Sequence, residues 1–458
     1  MKTSSWLPSL EQGVWYVFLG LCTWQTRWIF WTHDLQFSEW NSMALYVSDV
    51  LLLALFTIAC IRLRAWFVGR LDAWDWSLGV VLAMSLGSLI YAQELPIALY
   101  SIARLIEGVL LYLYLRHYAW YVFRADASAL AFVVGALVQA SLGIAQFVLQ
   151  HDVGLRWLGE TLLNPDMRGV AVFYDLSKVK VLRAYGTLPH PNILAAVLMV
   201  ALWVWSWFWM RHDDESPLTM GIYSATMGII TLGLVVTFSR TIIAMHVTAL
   251  MVTLGYVAYQ AYRGASWWRT IRARFLRLFA ALTISSAIIC LALSSLIVAR
   301  ISISSSDEAV RYRVQYNIDA LASGSRALLN INWFGVGIGN FPMWLFHYNP
   351  GLPRYMYQPA HNVYLLMYSE IGIIGVVAFI AWMAYCIRER MRKRGEPLVR
   401  FALIMLALSM SAIVLFDHFT WTLQQGRLLW WGVWALIAGI AGRASVPYNK
   451  RHANISHH

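Results

Sequence analysis

The chain has 458 residues, of which 60% are hydrophobic, 15% aromatic and only 13% charged, with a formal charge of +12. A soluble domain carries about 25% charged residues, so the composition excludes an ordinary soluble enzyme and points to an integral membrane protein. The positive charge does not indicate a nucleic-acid partner, because no zinc-finger, RNP or helix-turn-helix pattern accompanies it and Lys and Arg gather in the cytoplasmic loops of membrane proteins.

The N-terminus carries one lysine and no small-residue cleavage site before a long apolar run, as expected of a retained first helix and not of a removed signal peptide. Runs of the ~20 apolar residues that cross a bilayer recur near 10–31, 42–61, 76–93, 96–115, 127–149, 191–210, 218–238, 241–262, 277–299, 362–387, 400–416 and 427–443. They predict an all-α integral membrane protein of about twelve transmembrane helices, one polytopic membrane domain over 1–458 with no separate soluble domain and no internal repeat. The cysteines Cys22, Cys60, Cys290 and Cys386 fall in apolar runs at spacings that suit neither a metal site nor a disulfide framework, and read as small core residues.

Basic clusters mark alternate loops: Arg62, Arg64 and Arg70, then Arg116 and Arg124, then Arg263, Arg269, Arg272 and Arg274. Arg388, Arg390, Arg392, Lys393 and Arg394 follow, and Lys450 and Arg451 close the set. That side, with both termini, is assigned to the cytoplasm. The opposite face has two long loops, 150–190 and 300–361, whose tryptophans and aliphatic residues argue against disorder. The first carries Arg156, Arg168, Lys178, Lys180 and Arg183, and the second Arg300, Arg311, Arg313, Arg326 and Arg354. External loops are usually poor in such residues near membrane ends, so an anionic ligand is expected there. The alternative is that long loops cross regardless of charge, with Asp152, Glu160, Asp166, Asp175, Asp307, Glu308 and Asp319 as partial balance.

The first loop ends Arg183-Ala-Tyr-Gly-Thr-Leu-Pro-His190-Pro-Asn192. Pro and Asn there are ordinary helix-start chemistry. Arg183, near the membrane surface, can hold phosphate oxygens bidentately or snorkel to lipid headgroups. At Thr237-Phe-Ser239-Arg240-Thr241 two spans meet with almost no loop. Ser239 can cap the following helix, and Arg240 is held at or below the external surface, at a cost of up to roughly 3 kcal/mol near the bilayer centre. Such expense favours a functional role over a structural ion pair.

In the second loop Val310, Val314, Ile318 and Leu321 recur at helical spacing and predict an amphipathic helix over 308–321 lying across the cavity. Arg311 and Arg313 then point to nearly opposite faces, so only one meets a shared ligand. Gly335, Gly337 and Gly339 lack the strand–helix unit of a dinucleotide fingerprint and are expected to let the backbone turn closely against the spans. At His361-Asn362 the loop passes into an apolar run. The free N–H groups and partial positive charge of a helix start disfavour imidazolium, so His361 should stay neutral and able to accept a proton; the alternative is an interfacial histidine that caps the helix. Arg104 and Glu107 are neighbours on one helix face, by default a mutual ion pair, with a place in an acceptor pocket as the weaker reading. Glu370 lies roughly 13 Å along a helix from His361, too far for contact. The external loops lack the clustered carboxylates that hold a divalent metal on phosphates, and no hydrolase or metalloprotease motif occurs, so no metal or other cofactor is expected.

Three segments carry a family likeness: Arg313-Val-Gln-Tyr-Asn-Ile-Asp-Ala-Leu321, Trp333-Phe-Gly-Val-Gly-Ile-Gly-Asn-Phe341, and the run from His361-Asn to Glu370-Ile-Gly-Ile-Ile-Gly375. With Pro189-His-Pro-Asn192 and Ser239-Arg240, they resemble the bacterial O-antigen ligase and polymerase superfamily, by motif over about 180–375 and by span pattern over the whole chain. The resemblance implies a GT-C-like glycosyltransferase architecture and an inverting, metal-independent O-antigen ligase. Such an enzyme moves a glycan from undecaprenyl pyrophosphate onto the lipid A core oligosaccharide of lipopolysaccharide, at the periplasmic face of the inner membrane. Its partners are those two lipid-linked substrates and membrane lipids, with no nucleic acid. By position His361 matches the family's essential histidine, and Arg183, Arg240 and Arg313 its phosphate-binding arginines, with Arg311 as the alternative to Arg313 and Asn362 as a substrate contact. The competing readings are an O-antigen polymerase, a protein O-glycosyltransferase, whose relatives often extend into a soluble C-terminal domain, and a lipid-linked oligosaccharide flippase. A flippase would carry cations along a path through the bilayer centre and symmetry-related halves.

Overall fold

A computed structural model describes residues 6–33, 38–63, 71–72, 75–119, 122–212, 216–301, 308–323, 331–392 and 395–439. Arg64, Arg70, Asp307, Arg326, Lys393, Arg394, Lys450 and Arg451 lie outside these residues, as do the side chains of Glu308, Val310 and Arg354.

The apolar runs fold as helices, the segment structure that satisfies its own backbone polar groups without water. In chain order these are α1 (Leu7–Leu21), α2 (Val47–Leu63), α3 (Asp75–Gly87), α4 (Leu95–Tyr114), α5 (Ala125–Leu149), α6 (Pro191–Arg211), α7 (Pro217–Val236) and α8 (Arg240–Tyr262). There follow α9 (Ser266–Ala292), α10 (Ser294–Ile301), α11 (Glu308–Ala322), α12 (Phe341–Tyr348), α13 (Val363–Arg392), α14 (Pro397–Ile413), α15 (Phe419–Thr422) and α16 (Gln424–Gly439). Two short antiparallel hairpins interrupt them, β1 (Arg27–Thr32) with β2 (Ser42–Tyr46), and β3 (Val172–Tyr174) with β4 (Lys180–Leu182). A helix stands at each of the twelve predicted runs. Seven are long and apolar enough to cross a membrane: α4 continued to Ala119, α5, α6, α7, α8, α9 and α13.

The first two predicted spans, 10–31 and 42–61, are each too long. The first helix stops at Leu21, and Arg27–Thr32 pairs as a strand with Ser42–Tyr46. The RWIFWT run is apolar but also aromatic and β-branched, which suits a strand. Arg27 closes the hairpin through an ion pair to Glu39 at 2.6 Å.

The span beginning at 362 is not a straight rod. Gly372 inside α13 adopts φ 79° and ψ 172°, which breaks the helix and frees carbonyl and N–H groups beside it. Residues 332–337 satisfy them: Val336 N–H donates to Ser369 O (2.8 Å), Gly337 N–H to Glu370 O (3.2 Å), and Ile373 N–H to Asn332 O (2.9 Å). A Cβ on Gly335 would lie 2.0 Å from Glu370 O, and one on Gly372 2.1 Å from Trp333 O. The expected close approach of the glycine turn is therefore present, and its partner is a break in α13. Irregular backbone at membrane depth is tolerated where protein, not lipid, completes its hydrogen bonds.

The helix ends sort to two ends of the bundle. At one, Arg62 pairs with Glu11 at 2.5 Å, and Arg116 pairs with Asp72 and Asp75. At the other lie the β1–β2 hairpin and the long loops, joined by Asn192 to Asp417 (2.6 Å), Val363 N–H to Val414 O (2.8 Å) and Gln424 to Asp49 (2.8 Å). The functional candidates collect at this second end.

Candidate active site

The segment 182–188 is buried throughout, and two glutamines of α5 hold it. Gln146 accepts the N–H groups of Tyr185 (3.0 Å) and Gly186 (2.8 Å) and donates to Gly186 O (2.7 Å). Gln139 accepts Thr187 N–H (2.8 Å) and donates to its hydroxyl (2.7 Å). Glu160 in the first long loop accepts from Gln146 (2.8 Å) and from the N–H of Val153 (2.7 Å). The anchored strand carries Arg183 inward, to 5% exposure.

Arg183 donates from Nε to Thr237 O (2.7 Å) and from Nη2 to Asn192 Oδ1 (2.7 Å). Both acceptors are neutral, and among the described residues no carboxylate lies within ion-pair distance of it. Burial, and then the neighbouring Arg300, push its guanidinium down to about 9. Ser239 does not cap α8 with its side chain, as the sequence had suggested; its hydroxyl donates instead to Asn192 Oδ1 (3.0 Å). Asn192 passes the chain on, with Nδ2 donating to Asp417 Oδ2 (2.6 Å), while Asp417 Oδ1 accepts His418 N–H (2.8 Å).

His361 stands over this network. Its ring meets His418 edge-on at 4.8 Å and lies nearly parallel to Tyr316 of α11 at 5.9 Å. Its Nδ1 is buried and has no hydrogen-bond partner among the described residues. Burial first, then His418, with Arg313 and His190 adding, hold its imidazole well below the ordinary value against the pull of Asp417. The expected neutral histidine is present, but burial and neighbouring charge produce it, not a helix end alone. His418 is pushed down to about 4 by burial, with Asp417 opposing and Arg313 assisting. Its Nδ1 lies 2.8 Å from Thr422 Oγ1. The Thr422 hydroxyl also lies within hydrogen-bond reach of His418 O (3.1 Å). His190 caps α6 by accepting Asn192 N–H at Nδ1 (3.1 Å), which requires the neutral form; burial and then Arg183 hold it at about 3. Asp417 would be raised by burial, but His418, His361, His190 and Arg313 outweigh that and hold it well below the usual carboxylate range. Among the described residues, no three His, Cys, Asp or Glu side chains are placed as a set of metal ligands.

The sequence-predicted residues are placed unequally. Arg313 faces the cluster, since it acts on Arg183, His190, His361, Asp417 and His418. Arg311 is exposed and stacks on its own neighbour Tyr312 at 5.5 Å. Of the two, Arg313 is the one beside the cluster. The helix expected at 308–321 is α11, but its apolar stripe points outward: Val314, Ile318 and Leu321 are 53%, 53% and 54% exposed, while Tyr316 and Ala320 are buried against the body. Asn362 caps α13, its Oδ1 accepting Tyr364 N–H (3.0 Å) and Leu365 N–H (3.2 Å), which engages that oxygen away from the cluster. Arg240 is the half-buried first residue of α8, beside Ser239, and is not among the cations acting most strongly on the cluster. Arg104 pairs with Glu107 (3.1 Å) as expected, and also with Asp49 (2.7 Å). Glu370 is buried away from His361 and accepts Trp421 Nε1–H (2.8 Å).

Sequence reasoning passed over Asp417 and His418, read Asn192 as helix-start chemistry, took His190 and Asn192 as part of a family landmark without giving either a role, and weighed neither Gln139 nor Gln146. The available signal was an Asp-His pair between two apolar runs, and two glutamines within one. Against known proteins, no family model matches the chain and no curated protein does.

Proposed function

We propose that the chain is an O-antigen ligase: an inverting glycosyltransferase that moves a glycan from undecaprenyl pyrophosphate to the lipid A core oligosaccharide. We place it in the bacterial inner membrane with the helices at all twelve apolar runs crossing, both termini cytoplasmic and the cluster facing the periplasm. The observation that supports this most is a buried guanidinium, Arg183, held only by neutral oxygens and grouped with Arg300 and Arg313 around a neutral histidine. A buried charge is costly unless paired, so such a group is suited to an anion that arrives with the substrate.

In this reading the pyrophosphate sits on the arginines, which compensate the charge that grows as it leaves, so that no divalent metal is required. An acceptor hydroxyl attacks the anomeric carbon from the face opposite the pyrophosphate. The new C–O bond forms as the bond to the pyrophosphate oxygen breaks; that oxygen keeps the electron pair, the hydroxyl proton passes to His361, and the anomeric centre inverts. The helices supply proximity by holding two lipid-linked substrates in one plane.

The test is reconstitution of the purified protein with glycan-loaded undecaprenyl pyrophosphate and lipid A core, with and without a chelator. Capped lipopolysaccharide that forms in chelator supports the reading. Lengthening of the lipid-linked glycan without capping would make the chain a polymerase, and no transfer by the folded protein would overturn the assignment.

A further inference from the structure

Beside His418 lies a cavity. Its wall is continuous with the cluster: Trp40 lines it and packs edge-on against His418 at 5.0 Å, Thr422 lines it and lies 2.8 Å from His418 Nδ1, and Pro359 lines it just before His361. A smaller cavity adjoins it, sharing Glu39, Ser42, Tyr100, Thr422 and Arg427. The rest of the main lining mixes tryptophan faces (Trp421, Trp430, Trp431) with hydroxyls, the combination that suits the apolar faces and polar edges of a sugar ring.

The charges of this lining are satisfied, with one exception. Glu39 is paired with Arg27 at 2.6 Å, and Glu370 accepts Trp421 Nε1–H (2.8 Å) and the N–H groups of Gly339 and Phe341. Neighbouring Arg104 is matched by Asp49 and Glu107. Arg427, which lines both cavities, makes one long hydrogen bond to Trp421 O (3.4 Å), and its Nε is buried with no partner; among the described residues it has no ion pair. The charged groups that act most on it are Arg104 and Glu107.

We propose that this cavity is the acceptor subsite and takes a saccharide that bears an anionic group, with the anion on Arg427 and a ring against the tryptophan wall. This deepens the glycosyltransferase reading and rests on it for the word acceptor. In this arrangement a hydroxyl reaching past Trp40 and Thr422 meets His361 from the cavity, while the anomeric carbon comes with the pyrophosphate held at Arg183 and Arg313.

The probes are glucose 6-phosphate, glucuronic acid and glucose, titrated against the full chain in nanodiscs by saturation-transfer NMR. Both anionic sugars should bind at least about tenfold more tightly than glucose, the value of a charge-assisted hydrogen bond in a closed site. Arg427→Gln should remove that preference, whereas Arg183→Gln should leave it. Ser42→Trp, which fills the shared wall without touching the charge, should weaken all three sugars if Arg427→Gln fails to fold. Equal binding of glucose and the anionic sugars, or a preference lost with Arg183→Gln and kept with Arg427→Gln, overturns the proposal. In the reconstituted reaction Arg427→Gln should raise KM for the lipid-linked acceptor and leave KM for the donor unchanged; an unchanged acceptor KM also overturns it. Binding as expected in a protein that transfers nothing would leave the subsite standing and remove the glycosyltransferase reading.

Discussion

Replacing Asp417 with Asn tests the polarity on which the cluster depends. Donors and acceptors alternate through it: Arg183 and Ser239 donate to Asn192 Oδ1, Asn192 Nδ2 donates to Asp417 Oδ2, and His418 N–H donates to Asp417 Oδ1. Asp417→Asn keeps the shape but turns one acceptor into a donor. In either amide orientation an N–H group then faces another, Asn192 Nδ2 in one case and His418 N–H in the other. A lost charge-assisted bond with a buried unsatisfied donor costs about 1.5–3 kcal/mol. If the placement of Arg183 is lost with it, transfer falls by roughly ten- to a hundred-fold. The double variant Asn192→Asp, Asp417→Asn restores alternation, because the carboxylate at 192 accepts from Arg183, Ser239 and the new amide at 417. Thermal stability should therefore return in the double variant. Donor binding should not, since that carboxylate neutralises the guanidinium proposed to hold pyrophosphate. Thermal unfolding in nanodiscs reads the first quantity, and filter binding of labelled undecaprenyl pyrophosphate the second. A single variant as stable and active as the wild type, or a double variant no more stable than the single, refutes the reasoning.

Four further outcomes are expected. His361→Ala should abolish transfer with donor binding and melting temperature nearly unchanged, and capped lipopolysaccharide from that variant would remove the proton-acceptor role. Arg313→Gln should weaken donor binding while Arg311→Gln leaves it near wild type, a comparison read in the same filter assay. His418 is held at about 4 in the folded chain, below the ordinary imidazole value, so the unfolded chain takes up the proton first as pH falls; stability is full above about pH 6.5 and declines by about 3 kcal/mol through pH 4, measured as Tm against pH and absent in His418→Asn. Gly372→Ala should cost at least about 2 kcal/mol, because its positive φ disfavours any side chain and the Cβ would lie 2.1 Å from Trp333 O.

What could be read from the sequence follows from which forces are local. Apolar runs specify helices by themselves, so α4 to α8 and α13 were found close to their bounds, whereas α9, expected at 277–299, runs from Ser266 to Ala292 because its first turns carry arginines that hydropathy does not count as helix. The spacing in α11 was also local and correct, but which face it buries depends on α13, and the stripe of Val314, Ile318 and Leu321 proved to be the outer one. The β1–β2 hairpin was hidden because an aromatic strand and a membrane span share the same hydropathy. The break at Gly372 was hidden because its cause is another segment, the loop at 332–337, that supplies the missing hydrogen bonds. His361 and Arg183 stood out as charged or titratable residues at membrane boundaries. Asp417 and Asn192 did not, since their meaning is a contact across 225 residues of chain.

The chain treats its buried cations in two ways, and the difference bears on where function lies. Three are matched by carboxylates: Arg62 by Glu11, Arg104 by Asp49 and Glu107, Arg116 by Asp72 and Asp75. These pairs need nothing from outside and can serve the bundle alone. Arg183, Arg390 and Arg427 depart from the pattern: Arg183 and Arg390 are held by neutral oxygens, and Arg427 by a single long bond to a carbonyl. Leaving a guanidinium so placed sacrifices stability that the same chain secures elsewhere with an Asp or a Glu. Arg390 binds carbonyls of α16 and has neither a histidine nor a cavity beside it among the described residues. Arg183, in contrast, joins the histidine cluster through Asn192 and Asp417, and Arg427 lines the cavity that Thr422 shares with His418; an unmatched cation bears on function only where such a neighbour stands beside it.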